Sequence, residues 1–151
     1  MKTLLTSLLF CCAVCSYSQT ACNESLWDHV YHPYRLILQD LSCLTVTGTV
    51  YHIKKEPDGD YHIQLKVDSA YEKLLDDGNY NRQNGCLVLE IICACNIRNN
   101  PAAEDACQDY KNEIPIPKAG DYIRVTGSYV YDKSSAHGWT EIHPVSKLEI
   151  Q

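Results

Sequence analysis

Two runs of alternating apolar and polar residues, joined by a turn signal, most constrain what this chain can fold into. Over 44–51, Leu, Val and Gly alternate with Thr and Tyr, and over 61–67, Tyr, Ile, Leu and Val alternate with His, Gln and Lys. The sequence EPDG at 56–59 is typical of a tight turn, because proline presets φ and glycine accepts positive φ. The period of two predicts a β-hairpin with one buried face.

Three further segments predict strands. The nearly continuous apolar run at 86–95 suits a central strand of a sheet. Alternation returns at 122–131 and at 139–145. On the last of these strands, Trp139, Glu141 and His143 share one face, with Thr140 and Ile142 on the other. The chain therefore predicts five strands.

Short helices and polar loops lie between these strands. Asn23 can cap a helix over 24–32, in which Leu26 and Val30 stack at i and i+4, and Pro33 ends that helix. Further helical turns are predicted at 69–76 and 101–107, and polar loops at 78–85 and 132–138.

The elements follow in the order of three strands, a short helix and two strands. This order predicts an all-β fold with short helices, a five-stranded Greek-key barrel of the oligonucleotide/oligosaccharide-binding (OB) type. In such a barrel we expect the first and fourth strands to pair and the fifth to close against the first. Gly48 and Gly127 would ease the tight coiling of the first and fourth strands. Residues 19–40 would form an N-terminal helix or extension, and residues 41–151 the barrel.

The N-terminal 18 residues predict a signal peptide that is removed on export. Lys2 supplies a positive start, and 4–14 is an apolar run, shorter than the roughly 20 residues that span a bilayer. Serines occupy the small-residue positions of a cleavage site after Ser18. A buried N-terminal helix and a lipid anchor on Cys15 or Cys22 are the alternatives. The sequence favours a periplasmic or secreted protein with no transmembrane segment in the mature chain.

Cleavage would remove three of the nine cysteines and leave six. An even number in an exported domain is typical of disulfides, so we expect all six to be oxidised, with a connectivity that the sequence leaves open. Cys93 and Cys95 share a face of the predicted third strand and would seek different partners. A zinc site built from these two and Cys107 competes, but its spacing matches no zinc module. The disulfide candidates are Cys22, Cys43, Cys86, Cys93, Cys95 and Cys107.

Charge and aromatic content narrow the class of ligand. The net charge of −6 argues against a protein that coats phosphate backbones without specificity. Eleven tyrosines against one phenylalanine and two tryptophans suit half-buried strands and contact surfaces, because tyrosine has an apolar ring and a polar tip.

The outer face of the predicted barrel is the candidate ligand-binding surface. OB barrels commonly bind ligands between the first hairpin loop, here 54–60, and the last loop, here 132–138. Polar residues including Asp60 and Glu90 point to this face, and its aromatic rings could stack on bases or sugars. An ordinary solvated strand face is the alternative. The candidate ligand-binding residues are Tyr51, Lys54, Lys55, His62, Gln64, Arg124, Lys133, His137, Trp139, Glu141 and His143.

Histidines near the last strand raise the question of a metal or a catalytic base. His137, Glu141, His143 and His62 could hold a metal only if three or four of them converge, and their spacing differs from the helical His-Glu-x-x-His motif. General acid–base catalysis by His62 or Glu141 needs a pocket that the sequence does not reveal. The chain has no Gly-x-Ser-x-Gly elbow and no phosphate-binding glycine loop. We assign no metal, cofactor or catalytic residue.

Four phrases carry a resemblance to a known group. VTGTV at 46–50, DGDYHIQL at 58–65, PKAGD at 117–121 and HGWTEIHPV at 137–145 resemble those of uncharacterised exported bacterial proteins with OB-like folds. The resemblance covers most of residues 22–149. It implies the fold and export, and it brings no activity.

The sequence therefore predicts an exported, monomeric OB-type binding module for an oligonucleotide, a saccharide or a peptide. Nucleic acid is possible but not favoured by the net charge. The first alternative is a structural or protein-interaction domain of the envelope. The second is a metal-binding protein or hydrolase that uses His62, His137, Glu141 and His143.

Overall fold

The structure, a computed structural model, describes residues 22–151, so the predicted signal peptide lies outside the described residues. The described part is mostly β, with one five-stranded mixed sheet and a few short helices. None of its helices is long and apolar enough to cross a membrane.

The described residues form five strands and five short helical segments. The strands are β1 (Leu36–Lys55), β2 (Tyr61–Val67), β3 (Leu87–Ile91), β4 (Tyr122–Asp132) and β5 (Trp139–Ile150). The α-helices are α1 (Asp77–Arg82) and α2 (Pro101–Ala106), and three 3-10 helices span Glu24–His29, Pro33–Arg35 and Ser69–Leu74.

The sheet closes on itself in the order β1-β2-β3-β5-β4, with β4 paired to β1. All pairs are antiparallel except β3 with β5. The expectation that the fifth strand closes against the first is wrong, because β5 lies between β3 and β4. β1 is 20 residues long, and β2 and β4 already occupy both of its edges.

Gly48 sits where β1 is paired on both sides. Its register partners are Val67 on β2 and Ile123 on β4. A Cβ at this position would overlap the backbone oxygen of Lys66. Glycine at this position therefore allows β1 to approach the backbone of β2 closely.

The apolar faces fill one core, as the alternation predicts. Val46 and Val50 of β1 and Ile63 and Leu65 of β2 are buried together with the inward residues of the other strands. β3 is buried along its whole length, which fits its prediction as a central strand.

The N-terminal segment differs from the predicted helix. Asn23 caps it, since its side chain accepts a hydrogen bond from the next turn. The segment is a 3-10 helix that ends at His29, and Pro33 begins a second turn instead of stopping the first. Leu26 and Val30 pack with Ile92 in a small second cluster.

Other element boundaries also differ from the predictions. β1 begins at Leu36 rather than Leu44, and β5 continues to Ile150. The predicted polar loop at 78–85 contains α1, whose start is a capping box between Asp76 and Asn79. An asparagine replaces the glutamate or glutamine usual in that motif, so the signal is weak.

Two disulfides link the described residues, Cys22 with Cys43 and Cys93 with Cys107. Disulfides are typical of oxidising compartments outside the cytosol. Because the Cys22 sulfur is bonded to Cys43, the alternative of a lipid anchor on Cys22 does not fit this structure. A zinc site that includes Cys93 and Cys107 does not fit it either.

Cys86 and Cys95 are free thiols, so the prediction that all six cysteines are oxidised is wrong. The Cys86 sulfur lies 3.9 Å from the backbone oxygen of Asn84, and the Cys95 sulfur lies 3.5 Å from that of Asp60. Cys93 and Cys95 also share no strand face, because β3 ends at Ile91. The chain turns at Cys93, whose φ is 52° and whose N–H donates to the Asp60 carboxyl.

Candidate functional site

A polar cavity of about 580 Å³ lies on the outer face of β2, β3 and β5. We call it the wall pocket. Its floor comes from these strands, and its rim comes from the end of β1, the hairpin loop, α1 and the loop before β5. Seven of the predicted ligand-binding residues line it, namely Lys54, His62, Gln64, His137, Trp139, Glu141 and His143.

Strand register explains why the floor residues meet. His62 of β2 is opposite Glu90 of β3, and Val88 of β3 is opposite Glu141 of β5. Since β3 and β5 run parallel, His143 follows in register beside Glu90. Side chains two apart point to the same face of a strand, so all of these polar groups project outward from the closed sheet.

His143 is held by Glu141 at the bottom of the pocket. Its Nδ1 donates to Glu141 Oε1 at 2.9 Å, and Trp139 Nε1 donates to Glu141 Oε2 at 2.8 Å. His143 is 4% exposed and Glu141 is 2% exposed. Burial alone would lower the pKa of His143, but the hydrogen bond and charge of Glu141 raise it to about 9. His143 is therefore an imidazolium at neutral pH.

His62 forms a second histidine–carboxylate pair. Its Nδ1 donates to Glu90 Oε1 at 2.7 Å, and its Nε2 donates to Gln83 Oε1 at 3.1 Å. Burial would lower the pKa of His62, but Glu90 raises it to about 9. Burial also raises the pKa of Glu90, and the positive charge of His62 opposes that rise. Both ring nitrogens face oxygen acceptors, which suits the protonated ring.

Asp60 adds a third buried titratable group. It receives a 2.8 Å hydrogen bond from the backbone N–H of Cys93. Burial raises the pKa of Asp60 to about 8, although the charge of His143 opposes the rise. The carboxyl is therefore mostly protonated at neutral pH and can donate a hydrogen bond.

Asp132 fixes the loop that covers the pocket. Its Oδ2 lies 2.6 Å from His137 Nδ1 and 3.3 Å from an Arg35 nitrogen, and its Oδ1 accepts from the Ser134 N–H at 2.8 Å. Burial would raise the pKa of Asp132, but these partners hold it below its ordinary value. The His137 ring stacks on Trp139 with centroids 4.6 Å apart, so one face of that indole is covered.

Helix α1 is anchored beside this loop through a buried asparagine. Asn79 Nδ2 donates to the backbone oxygens of Cys86 and Thr140, each at 2.9 Å, and Asn79 Oδ1 accepts from Thr140 Oγ1 at 2.6 Å. A Cβ on Gly78 would overlap the backbone oxygen of Gly138. This close approach lets α1 pack directly against the loop before β5.

Two buried polar atoms on the pocket floor have no hydrogen-bond partner. They are Glu90 Oε2 and His143 Nε2, and the rim contributes Arg35 Nε. A buried polar atom without a partner costs about 1–3 kcal/mol, and such atoms are rare in folded proteins. The wall pocket therefore contains polar groups that a ligand could satisfy.

Four predicted ligand-binding residues lie outside the wall pocket. Tyr51 is 52% exposed, and the Lys66 ammonium lies 5.3 Å from its ring centroid. Lys55 lies over the ring of Tyr61 at 5.6 Å. Arg124 and Lys133 are exposed on β4 and on the loop after it.

A β-bulge explains the position of Tyr51. The register of β1 with β2 shifts between Val50 and His52, which leaves Tyr51 as the extra residue. Bulges re-aim side chains next to functional sites. Here the shift brings His52 to the rim of the pocket in place of Tyr51.

Eleven residues that line the pocket were not among the predicted ligand-binding residues, namely Tyr31, Arg35, His52, Glu56, Asp58, Asp60, Arg82, Gln83, Glu90, Asp132 and Ala136. The capping pattern at 76–79 could have revealed α1 and with it Arg82 and Gln83. Asp60 and Glu90 were expected on the outer face but were not included among the ligand-binding residues. No local pattern could have paired Arg35 with Asp132, because they come from distant parts of the chain.

The predicted histidine set converges without forming a metal centre. Among residues 22–151, no three His, Cys, Asp or Glu side chains are arranged to hold a metal ion. The Nδ1 atoms of His62, His137 and His143 instead face Glu90, Asp132 and Glu141.

A larger groove of about 830 Å³ lies beside the Cys22–Cys43 disulfide. Leu38 and Leu41 line it and are more than half exposed. Its described residues bring together no buried, unpartnered polar atoms. The wall pocket is therefore the better candidate for specific recognition.

Comparisons with protein-family models, with curated proteins and with solved structures found no match. The function proposed below therefore rests on the geometry of the wall pocket.

Proposed function

We propose that the protein is an exported binding module of the OB type that holds part of an oligomeric ligand in the wall pocket. One observation carries this proposal. Glu90 Oε2 and His143 Nε2 are buried in a preformed polar cavity and lack partners. Ligand sites are typically concave and preformed, with a few fixed polar groups.

The strand order supports the OB assignment. The predicted pairing of the first strand with the fourth is present, and the sheet is closed. The wall pocket lies between the hairpin loop and the loop before β5, the region where OB barrels bind oligomers. The two disulfides support export, because such bonds form in oxidising compartments.

The energetics of the floor also favour binding over a purely structural role. Two buried histidine–carboxylate pairs are expensive to desolvate, and apolar residues of similar volume stabilise a fold as well or better. Buried titratable groups with shifted pKa values cluster at functional sites. The floor holds both pairs side by side and leaves one buried atom of each without a hydrogen-bond partner.

Trp139 provides a direct reporter of occupancy. The chain has two tryptophans, and Trp27 lies outside the wall pocket, so Trp27→Phe leaves Trp139 as the only indole. We would titrate this variant with tetrasaccharides, single-stranded oligothymidylate and a peptide mixture. The proposal predicts a saturable change in Trp139 emission with at least one of them.

Glu90→Gln sharpens this test, because the amide oxygen can still accept from His62 while the free acceptor becomes a donor. We expect the affinity to fall by about tenfold or more, equivalent to about 1.4 kcal/mol. The matched control is Glu149→Gln, at an exposed position of β5. Absence of any binding, or equal affinity in Glu90→Gln and the control, would contradict the proposal.

A second candidate is acid–base catalysis on the bound ligand. Glu141 holds His143 Nδ1 and leaves Nε2 without a partner, and general acid–base catalysis uses a histidine oriented in this way. Prolonged incubation with each bound oligomer, followed by mass spectrometry, tests it. Cleavage that His143→Gln abolishes would favour catalysis, and intact oligomers would favour the binding module.

A further inference from the structure

The two polar atoms on the pocket floor that lack hydrogen-bond partners indicate which chemical groups a ligand should carry. Glu90 Oε2 can accept a hydrogen bond, and His143 Nε2 carries a proton to donate while Glu141 accepts from Nδ1. These two atoms belong to adjacent parallel strands, β3 and β5. A hydroxyl group donates and accepts at once, so hydroxyls suit this paired surface better than a group that only donates or only accepts.

The charge around the pocket opposes a polyanion. Three Lys and Arg side chains line it, and each already has a partner. Arg35 faces Asp132, Lys54 faces Glu56 at 2.8 Å, and Arg82 donates to the His137 backbone oxygen at 2.7 Å. The lining carboxyl groups outnumber these cations two to one; they are Glu56, Asp58, Asp60, Glu90, Asp132 and Glu141. With His62 and His143 as imidazoliums and Asp60 protonated, five cations face five carboxylates in the described lining, so it offers phosphate groups no net positive charge.

The geometry also opposes an extended peptide. Peptides commonly bind by adding a strand to a free sheet edge, but β2, β3 and β5 each have a strand on both sides in the closed sheet. An apolar anchor would need an open hydrophobic surface. The only tryptophan in the lining, Trp139, is 6% exposed, and His137 covers one face of it.

We infer that the wall pocket binds a neutral saccharide whose ring hydroxyls bridge Glu90 and His143. This inference rests on the proposed function and narrows its ligand to one class. Planar polar side chains with fixed hydrogen-bonding atoms suit hydroxyl groups, and Gln64 and Gln83 extend that set along the floor, where Gln64 Nε2 donates to Gln83 Oε1 at 2.7 Å.

The test compares ligand classes on the single-tryptophan protein. Maltotetraose, cellotetraose and chitotetraose are titrated beside oligothymidylate and the peptide mixture, at low and at high salt. We expect saturable binding of at least one neutral saccharide, with an affinity that salt leaves unchanged, because no counterions are released. We expect no comparable binding of the other two classes.

Two variants test whether saccharide binding depends on Glu90 Oε2 and His143 Nε2. Glu90→Gln and His143→Gln should each weaken saccharide binding by about tenfold or more, whereas Glu149→Gln should leave it unchanged. Glu90→Gln keeps the acceptor for His62, so a folding defect in His143→Gln does not remove the test. Binding of oligothymidylate or peptide without any saccharide would overturn this inference and leave the proposed function standing. Absence of binding in all three classes would overturn both.

Discussion

The outer surface of the closed sheet has two halves that look alike in sequence and differ in structure. In the middle of β1 and at the start of β4, the outward residues Thr49, Tyr51 and Arg124 are exposed to solvent. On β2, β3 and β5, the outward residues Gln64, Glu141 and their neighbours are buried. We call these the open half and the covered half.

The difference comes from what packs on the strands. Helix α1 is anchored over the covered half by Asn79, and the loop before β5 is held there by Asp132. Among residues 22–151, Thr49 and Arg124 lack such a cover, and both are exposed. Alternation along a strand therefore predicts which face of the sheet a side chain occupies. Whether that face forms a pocket depends on the packing of α1 and of the loop before β5.

The largest expected effect contrasts two glutamates of β5. Glu141→Ala leaves the buried His143 imidazolium and the Trp139 N–H without an acceptor, so we expect a loss of about 3–5 kcal/mol in the free energy of unfolding. Glu149 faces Lys147 on the exposed end of the same strand, and Glu149→Ala should cause no measurable change. Urea denaturation followed by circular dichroism measures both. Equal changes in the free energy of unfolding for the two variants would contradict the different roles assigned to the buried and exposed ends of β5.

The next effect tests the cover itself. Asn79→Ala removes the hydrogen bonds to the backbone of Cys86 and Thr140, and we expect a loss of about 2–4 kcal/mol because these buried groups lose their partners. Asn81→Ala, on the exposed side of α1, should stay within about 0.5 kcal/mol. A mild effect of Asn79→Ala would show that α1 does not depend on this anchor.

The pH dependence of stability gives a third test. The pKa values of His62 and His143 rise from 6.5 to about 9 on folding, so their stabilisation is complete below about pH 6.5 and is lost as the pH rises through 9. The pKa of Asp60 rises from 3.8 to about 8 on folding. Its contribution to stability is therefore also lost as the pH rises between these two values. We expect each histidine to account for about 1–3 kcal/mol of the loss.

Urea denaturation at a series of pH values between about 6 and 9.5 measures this loss. The control variant is His52→Gln, because His52 is exposed; its profile should match that of the wild type. A free energy of unfolding that stays constant or increases over this range would contradict the assigned charges on His62 and His143.

The smallest effects belong to the open half. Tyr51→Ala and Arg124→Ala should each change the free energy of unfolding by no more than about 0.5 kcal/mol, and neither should change the affinity for a ligand in the wall pocket. The sequence-based expectation placed both residues at the binding surface. Loss of affinity in either variant would extend the site beyond the wall pocket.

Local patterns predicted much of the fold and one strand of the site. Alternation correctly placed Ile63 and Leu65 in the core, and it set Trp139, Glu141 and His143 on one face of β5. These features depend on a period of two within one strand, which a single sequence displays.

The rest depends on contacts between distant segments. The pair Arg35–Asp132, the position of β5 beside β3, and the free thiol of Cys86 follow from the tertiary packing. The bulge that turns Tyr51 away also has no local signal, because it arises from the register with β2.

The most direct test of the wall pocket observes His143 itself. Nitrogen NMR of the histidine side chains, recorded while each ligand class is added, reports on Nε2 separately from Nδ1. We predict that a neutral saccharide shifts the His143 Nε2 resonance saturably, with the affinity obtained from Trp139 fluorescence, while His29, which lies outside the wall pocket, keeps its resonance. A His143 resonance that no ligand class shifts would contradict the account.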